Sequence, residues 1–308
     1  MKAWLCDDAR PIPQLRQLEV ERPNPGPGEI LIKVMAAGVT PTELEWYPTT
    51  KTASGEPRLG AIPGHEFSGI VAEVGPDTDA RIGEEVFGLS DWFIDGATAE
   101  FCLTRPEFVA MKPASVSHVE AATIPIGTLT AWQGLFDRAD LKSNETVLIH
   151  GGSGGVGVFA IQLAKRHGAR VIATASAKNR EFLHSLGADQ AIDYQAERFE
   201  DHCRDVDVVF DGVGGETLAR SWGILKPEGR LVTIAASSEG TVDERTKNAF
   251  FIVEPSQKQL VQIARLLDTH ELRTFVDAAV SFERAGDAYS GRLTSRQGRG
   301  KVVIDMTI

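Results

Sequence analysis

The chain has 308 residues, 42% hydrophobic and 24% charged, an ordinary globular composition long enough for two domains with separate cores. A formal net charge of -11 repels a phosphate backbone, and no basic run offsets it, so nucleic acid is not an expected partner. No run of about eighteen uncharged apolar residues occurs and the N-terminus lacks a long apolar core, so neither a membrane span nor export by such a signal is expected. Cys6, Cys102 and Cys203 stand far apart with no CxxC pair, as expected of reduced thiols in a cytoplasmic protein.

Residues 1 to about 112 read as short strands broken by Pro, Gly and Asp turns: KAWLC, EILIKVMAAGV, FSGIVAEVG, EEVFGL and ATAEFCL. From Ser117, a candidate N-cap, SHVEAATIPIGTLTAWQGL has helical spacing. Strands and helices then alternate: strand TVLIH, helix VGVFAIQLAKRHG, strand RVIATA, helix KNREFLHSLG, strands AIDY and VDVVFD, helix ETLARSWGIL, strand GRLVTIAA. Gly168 and Gly187 stand where helices need left-handed caps. This alternation predicts an α/β fold with a doubly wound parallel sheet. A helix around PSQKQLVQIARLLDTH follows, and FVDAAVSF and GKVVIDM are expected as strands that rejoin the first domain.

The segment HGGSGGVG, His150 to Gly157, fits two chemistries. Gly152 to Gly157 matches GxGxxG, a loop for a dinucleotide pyrophosphate, whereas Gly151 to Gly155 matches GxSxG, a serine nucleophile on a sharp turn. In the first reading, Gly152 permits the tight turn, Gly154 lets the backbone approach the phosphates and Gly157 lets helix and strand pack closely. The second finds Ser153, Asp211 and His270 in suitable chain order but lacks an oxyanion loop on an early strand. The strand before the loop and the helix after it favour the dinucleotide.

An NAD site usually ends its second strand on Asp or Glu, but here the chain reads ATASAKNR. Ser176 can hydrogen-bond, and Lys178 and Arg180 can offer charge to a 2′-phosphate, so NADPH is the expected cofactor.

With AAGVTP, PGHEFSGIVAEVG, GGSGGVG, GADQAIDY and GKVVI in this order, the chain resembles the medium-chain dehydrogenase/reductase superfamily, and within it the zinc-free quinone oxidoreductase branch. The resemblance implies a β-rich GroES-like catalytic domain from both chain ends (1–116 and 266–308), a Rossmann domain at 117–265, and an active site in the cleft. Zinc-dependent members carry cysteine, histidine and cysteine where this chain has Thr40, His65 and Ile126. One imidazole beside Glu66 is too few ligands for catalytic zinc, so no metal is expected.

The resemblance further implies that Ser153, Gly154, Gly155 and Val156 meet the pyrophosphate and that Ser176, Lys178 and Tyr194 meet the adenosine phosphate. Thr130, Val213, Ala235 and Phe251 fall where the family lines the nicotinamide and ribose, largely through backbone atoms. Thr40 is the candidate catalytic contact, in place of the asparagine frequent in relatives, and Trp46, Tyr47 and Trp92 are expected to rim the substrate pocket. The implied activity is NADPH-dependent reduction of a quinone or an α,β-unsaturated carbonyl by hydride transfer. A nucleotide-binding sensor without turnover and a GxSxG hydrolase remain as alternatives. A strand at FFIVEP is expected to pair across a homodimer.

Overall fold

The computed structural model describes residues 1–7, 14–291, 293 and 297–308. They form two compact units: Met1–Ile126, Pro255–Gln297 and Lys301–Ile308 in the first, Gly127–Glu254 and Gly298–Gly300 in the second.

The first unit is β-rich. β1 (Lys2–Asp7) and β2 (Gln14–Glu19) form an antiparallel pair. β2 went unforeseen because QLRQLE lacks apolar alternation and is mostly exposed. The larger sheet contains β3 (Ile30–Val39), β4 (Glu66–Val74), β5 (Glu85–Leu89), β6 (Phe101–Thr104) and β7 (Val109–Met111). Its order is β13-β14-β3-β4-β5-β7, with β6 also on β3, so two late strands join five early ones. These are β13 (Val276–Ser281) and β14 (Lys301–Asp305). Ile30, Ile32, Phe67, Val86, Phe282, Val302 and Ile304 share one buried core in this unit.

The second unit holds five parallel strands: β8 (Thr146–His150), β9 (Arg170–Ala175), β10 (Gln190–Asp193), β11 (Val206–Asp211) and β12 (Leu225–Thr233). Their order, β10-β9-β8-β11-β12, reverses direction beside β8, the Rossmann switch point that leaves a crevice at the strand ends. Gly168 and Gly187 take φ of 90° and 108°, the left-handed caps anticipated after their helices.

Three features depart from the sequence reading. The span expected as one helix from Ser117 breaks into helices His118–Ala121 and Pro125–Trp132 and a π turn, Gln133–Arg138, because Pro125 cannot donate to the preceding turn. FFIVEP is not a strand: Phe250 makes an isolated bridge to Thr233, the Phe251 N–H donates to the Thr233 carbonyl, and β12 forms the outer edge of the parallel sheet. The units divide after Ile126 and Glu254, whereas the pattern suggested 117–265 for the second. The helix His118–Ala121 packs on β3 and β4, and the helix Gln257–Asp268 packs on β7, which draws both into the first unit.

At the end of β8, His150 is buried, with its ring nitrogens bonded to the Thr174 and Ser221 hydroxyls at 3.2 and 3.0 Å. Burial, partly opposed by Asp211, pushes its pKa down to about 4. The folded chain therefore keeps His150 neutral where the unfolded chain protonates it. Its contribution is full above pH ~6.5 and is lost as pH falls towards 4, by up to about 3 kcal/mol. Urea unfolding at pH 7 and pH 4.5 is expected to reveal that loss, and His150→Asn to reduce it.

Candidate active site

The turn after β8 depends on three glycines. Gly151 has φ of 76°, so the left-handed position falls one residue before the one assigned from the motif. Gly152 is required by packing: a Cβ there would lie 3.1 Å from Ala173 and 3.2 Å from Ile161 and Leu183. A Cβ on Gly157 would meet the Gly151 carbonyl at 2.2 Å, which only the absence of a side chain permits. Gly154 differs. A Cβ there would touch only the Gly151 carbonyl, at 3.4 Å, so the outer face of the loop is open.

That face is also a donor surface. The helix Gly157–Arg166 starts here, and among the described residues the Gly155 and Val156 N–H groups have no protein acceptor. Free amides at the positive end of a ten-residue helix are suited to a diphosphate. The residues present therefore fit a dinucleotide. Ser153 contributes its carbonyl to the Gly300 N–H at 2.9 Å. The hydrolase alternative has no support, since the Asp211 carboxylate accepts from the Val213 and Gly214 amides and the Thr233 hydroxyl and bonds no histidine.

At the end of β9, Ser176 is half-buried and starts a single turn, Ala177–Asn179, that leaves Lys178 exposed. No ion pair engages Lys178 among the described residues. Arg180 is a different case: Glu197 pairs with its guanidinium, which removes it as a free cation. Tyr194, one residue past β10, is 62% exposed, and its N–H bonds the Ala175 carbonyl at 3.2 Å, which brings its backbone beside the end of β9. It is not the packed aromatic that a strand terminus usually holds.

Thr130 lies buried in the helix Pro125–Trp132. Val213 is 53% exposed on the turn after β11, held by Asp211. Ala235 is buried beside that turn, where a Cβ on Gly214 would meet its own at 2.6 Å. The Phe251 side chain is buried, with the Arg138 guanidinium over its ring, so only its backbone is a plausible ligand contact.

In the first unit, Thr40 follows β3 and is half-buried. Lys301 Nζ reaches its Oγ1 at 3.5 Å and forms a buried ion pair with Glu66. Glu66 Oε2 accepts the Ile126 N–H at 3.0 Å, and burial raises the Glu66 carboxyl despite the ammonium beside it. The same side chain helps explain the glycine of AAGVTP: a Cβ on Gly38 would meet the Ala122 carbonyl at 2.5 Å and Glu66 side-chain carbons at 2.6 Å. His65 is buried, with Nδ1 2.5 Å from Glu43 Oε1, an oxygen that also accepts the Gly64 and His65 amides. Glu43 and Lys301 were missed as partners, although Glu43 stands three residues after Thr40 and Lys301 lies within GKVVI.

Trp46 and Trp92 meet edge to face at 5.8 Å, and Trp92 lies 5.3 Å from the His65 ring. Tyr47, 41% exposed, pairs with Phe93 at 6.4 Å. Two of the three expected rim aromatics, Trp46 and Trp92, thus pack together, and Tyr47 belongs to a second pair with Phe93. Among the described residues, no group of three or more His, Cys, Asp or Glu side chains could hold a metal ion.

Residues 26–123 match the family model described as Alcohol dehydrogenase GroES-like domain, and residues 186–304 the one described as Zinc-binding dehydrogenase. The 2-methylene-furan-3-one reductase of Solanum lycopersicum is 34% identical across 99% of this chain and 79% of its own length. The chain belongs to the medium-chain dehydrogenase/reductase superfamily. Within it the chain falls in the branch related to quinone oxidoreductases and alkenal/one reductases. The NADPH-dependent alkenal/one oxidoreductase of Arabidopsis thaliana is 32% identical over the same shares. The solved quinone oxidoreductase of Coxiella burnetii superposes with a TM-score of 0.89 at 30% identity over 99% of both chains. This medium-chain oxidoreductase carries the superfamily's GroES-like and Rossmann units.

The unequal surroundings of the two loop glycines give a direct test. Gly157→Ala forces a clash with the Gly151 carbonyl and is expected to cost about 1–3 kcal/mol, whereas Gly154→Ala should shift stability by less than about 0.5 kcal/mol. Urea midpoints of both variants measure the contrast.

Proposed function

We propose that the protein is a zinc-independent, NADPH-dependent reductase of quinones or α,β-unsaturated carbonyls. The observation that carries this reading is the open face at Gly154, with free amides at Gly155 and Val156 on a helix N-terminus. NADPH is favoured over NADH because β9 ends in Ala175 and leads into Ser176 without a carboxylate, and Lys178 stands exposed on the next turn, in no ion pair among the described residues.

Residue roles follow. Gly155 and Val156 donate amides to the diphosphate while Ser153 and Gly154 shape the loop. Ser176 and Lys178 bind the 2′-phosphate, and the exposed Tyr194 ring covers the adenine side. Thr130, Val213, Ala235 and the Phe251 backbone hold the ribose and nicotinamide end. When bound, the reduced nicotinamide supplies a hydride to an electrophilic acceptor. Trp46, Tyr47 and Trp92 present an apolar wall to a flat acceptor, and Thr40 Oγ1 donates to the oxygen on which negative charge develops. The final proton comes from solvent.

Zinc independence is supported by the donor set. Thr40 and Ile126 offer no thiolate, which leaves the His65 imidazole short of the three protein ligands a catalytic zinc takes. Such a site lacks the Lewis acid that a simple ketone requires, which is why the acceptor must already be activated. A homodimer and a cytoplasmic setting remain part of this reading, and three buried cysteines without a disulfide among the described residues support the latter.

Purified protein is expected to oxidise NADPH with a panel of quinones and enones after exhaustive chelation, followed at the nicotinamide absorbance. Inactivity across the panel with tight NADPH binding would favour the sensor instead. Lys178→Glu is expected to weaken NADPH by about ten- to a hundredfold, the worth of a charge-assisted bond, with NADH changed by less than about threefold. Fluorescence titration of both nucleotides measures this, and equal changes remove Lys178 from the site.

A further inference from the structure

The tripeptide Gly298-Arg299-Gly300 belongs to the Rossmann unit although β14, the strand it feeds, belongs to the other. Gly298 and Gly300 take φ of 73° and 81°, left-handed positions that set the course of the chain on both sides of Arg299. The Gly300 N–H donates to the Ser153 carbonyl, and Gly300 bridges Gly154 in parallel, so this end is stitched to the phosphate loop. The other end is stitched to the turn after β9. Arg299 Nε donates to Asn179 Oδ1 at 2.9 Å and Nη2 to the Lys178 carbonyl at 3.2 Å. Asn179, itself buried, returns a bond from Nδ2 to the Gly298 carbonyl at 3.4 Å, and the Arg299 guanidinium lies 4.9 Å over the Phe182 ring.

One three-residue segment therefore fixes both the loop assigned to the diphosphate and the turn assigned to the 2′-phosphate. Its guanidinium adds to the charge of that turn, which also carries Lys178 and Arg180, and Arg180 is engaged by Glu197. We infer that Arg299 is a specificity-determining positioning residue for the 2′-phosphate of the cofactor: it fixes the Lys178 turn and links it through Gly300 to the phosphate loop. The inference rests on the NADPH reading above and deepens it. Arginine suits the task because its planar fork bonds a carboxamide and a carbonyl together while stacking on a ring, which an ammonium does not do.

The test is binding rather than turnover: dissociation constants for NADPH, NADH, 2′,5′-ADP and 5′-AMP, measured by calorimetry on the full chain. Arg299→Ala is expected to weaken NADPH and 2′,5′-ADP by about tenfold, with NADH and 5′-AMP changed by less than about twofold. Arg299→Lys keeps the charge but loses the fork, and is expected to forfeit about threefold of the NADPH over NADH preference. If Arg299→Ala does not fold, the Lys variant decides, and an unchanged preference overturns the inference. Equal weakening of all four ligands marks a merely structural arginine and also overturns it. A wild-type protein that binds NADH as tightly as NADPH defeats the cofactor reading and this inference together. A wild-type protein that prefers NADPH, with the preference intact in Arg299→Ala, defeats the assignment of Arg299 alone.

Discussion

The Rossmann unit depends on one close approach of backbone to backbone: the start of the helix Gly157–Arg166 crosses the Gly151 carbonyl with no room for a methyl group. That contact sets the helix end against the end of β8 and aims the first amides outward. It also divides the glycines by purpose. Gly151 serves conformation, Gly152 and Gly157 serve packing, and a side chain at Gly154 would touch only the Gly151 carbonyl. Conformation and packing explain these three from within the protein, and the outer face at Gly154 is where a ligand's backbone-hugging phosphates have room to lie.

The β-rich unit is organised by buried charge. Glu66 holds an ammonium and a peptide amide, and Glu43 holds an imidazole and two amides; that ammonium reaches the Thr40 hydroxyl, and the Glu43 N–H bonds the Thr40 carbonyl. A buried ion pair of this type rarely adds much net stability, but removing one partner leaves the other uncompensated, typically at about 3–5 kcal/mol. These groups therefore act chiefly to fix geometry. They hold β4, β14 and the start of the helix Pro125–Trp132 in register around a hydroxyl.

Much of this organisation is legible in the sequence because it is periodic or local. The alternation from TVLIH onwards defines the parallel sheet, and the glycine loop and the missing acid after RVIATA are one-dimensional signals. What escaped is what depends on distant partners. Arg180 looks available until Glu197, far along the chain, takes it, and Arg299 looks like an ordinary surface cation until Asn179 and Phe182 receive it. β2 lacks a pattern because it pairs with β1 through its backbone while its side chains stay exposed. FFIVEP has strand-like composition, yet its sheet-like contacts stop at Thr233, and the Gln133 carboxamide, not a neighbouring strand, bonds the Glu254 backbone.

The position of β14 between β13 and β3 has a consequence for biosynthesis. All five parallel strands lie within one continuous stretch and can pair while the ribosome is still at work. The mixed sheet cannot close until residues 301–305 have emerged, which until then leaves the Ala36–Val39 half of β3 without its β14 partner, the Ile30–Lys33 half being paired by β6. The nascent chain thus carries a paired parallel sheet whose phosphate loop still awaits Gly298–Gly300, and residues 298–305 decide together whether that loop is stitched down and whether the exposed edge finds its own strand or a stranger's.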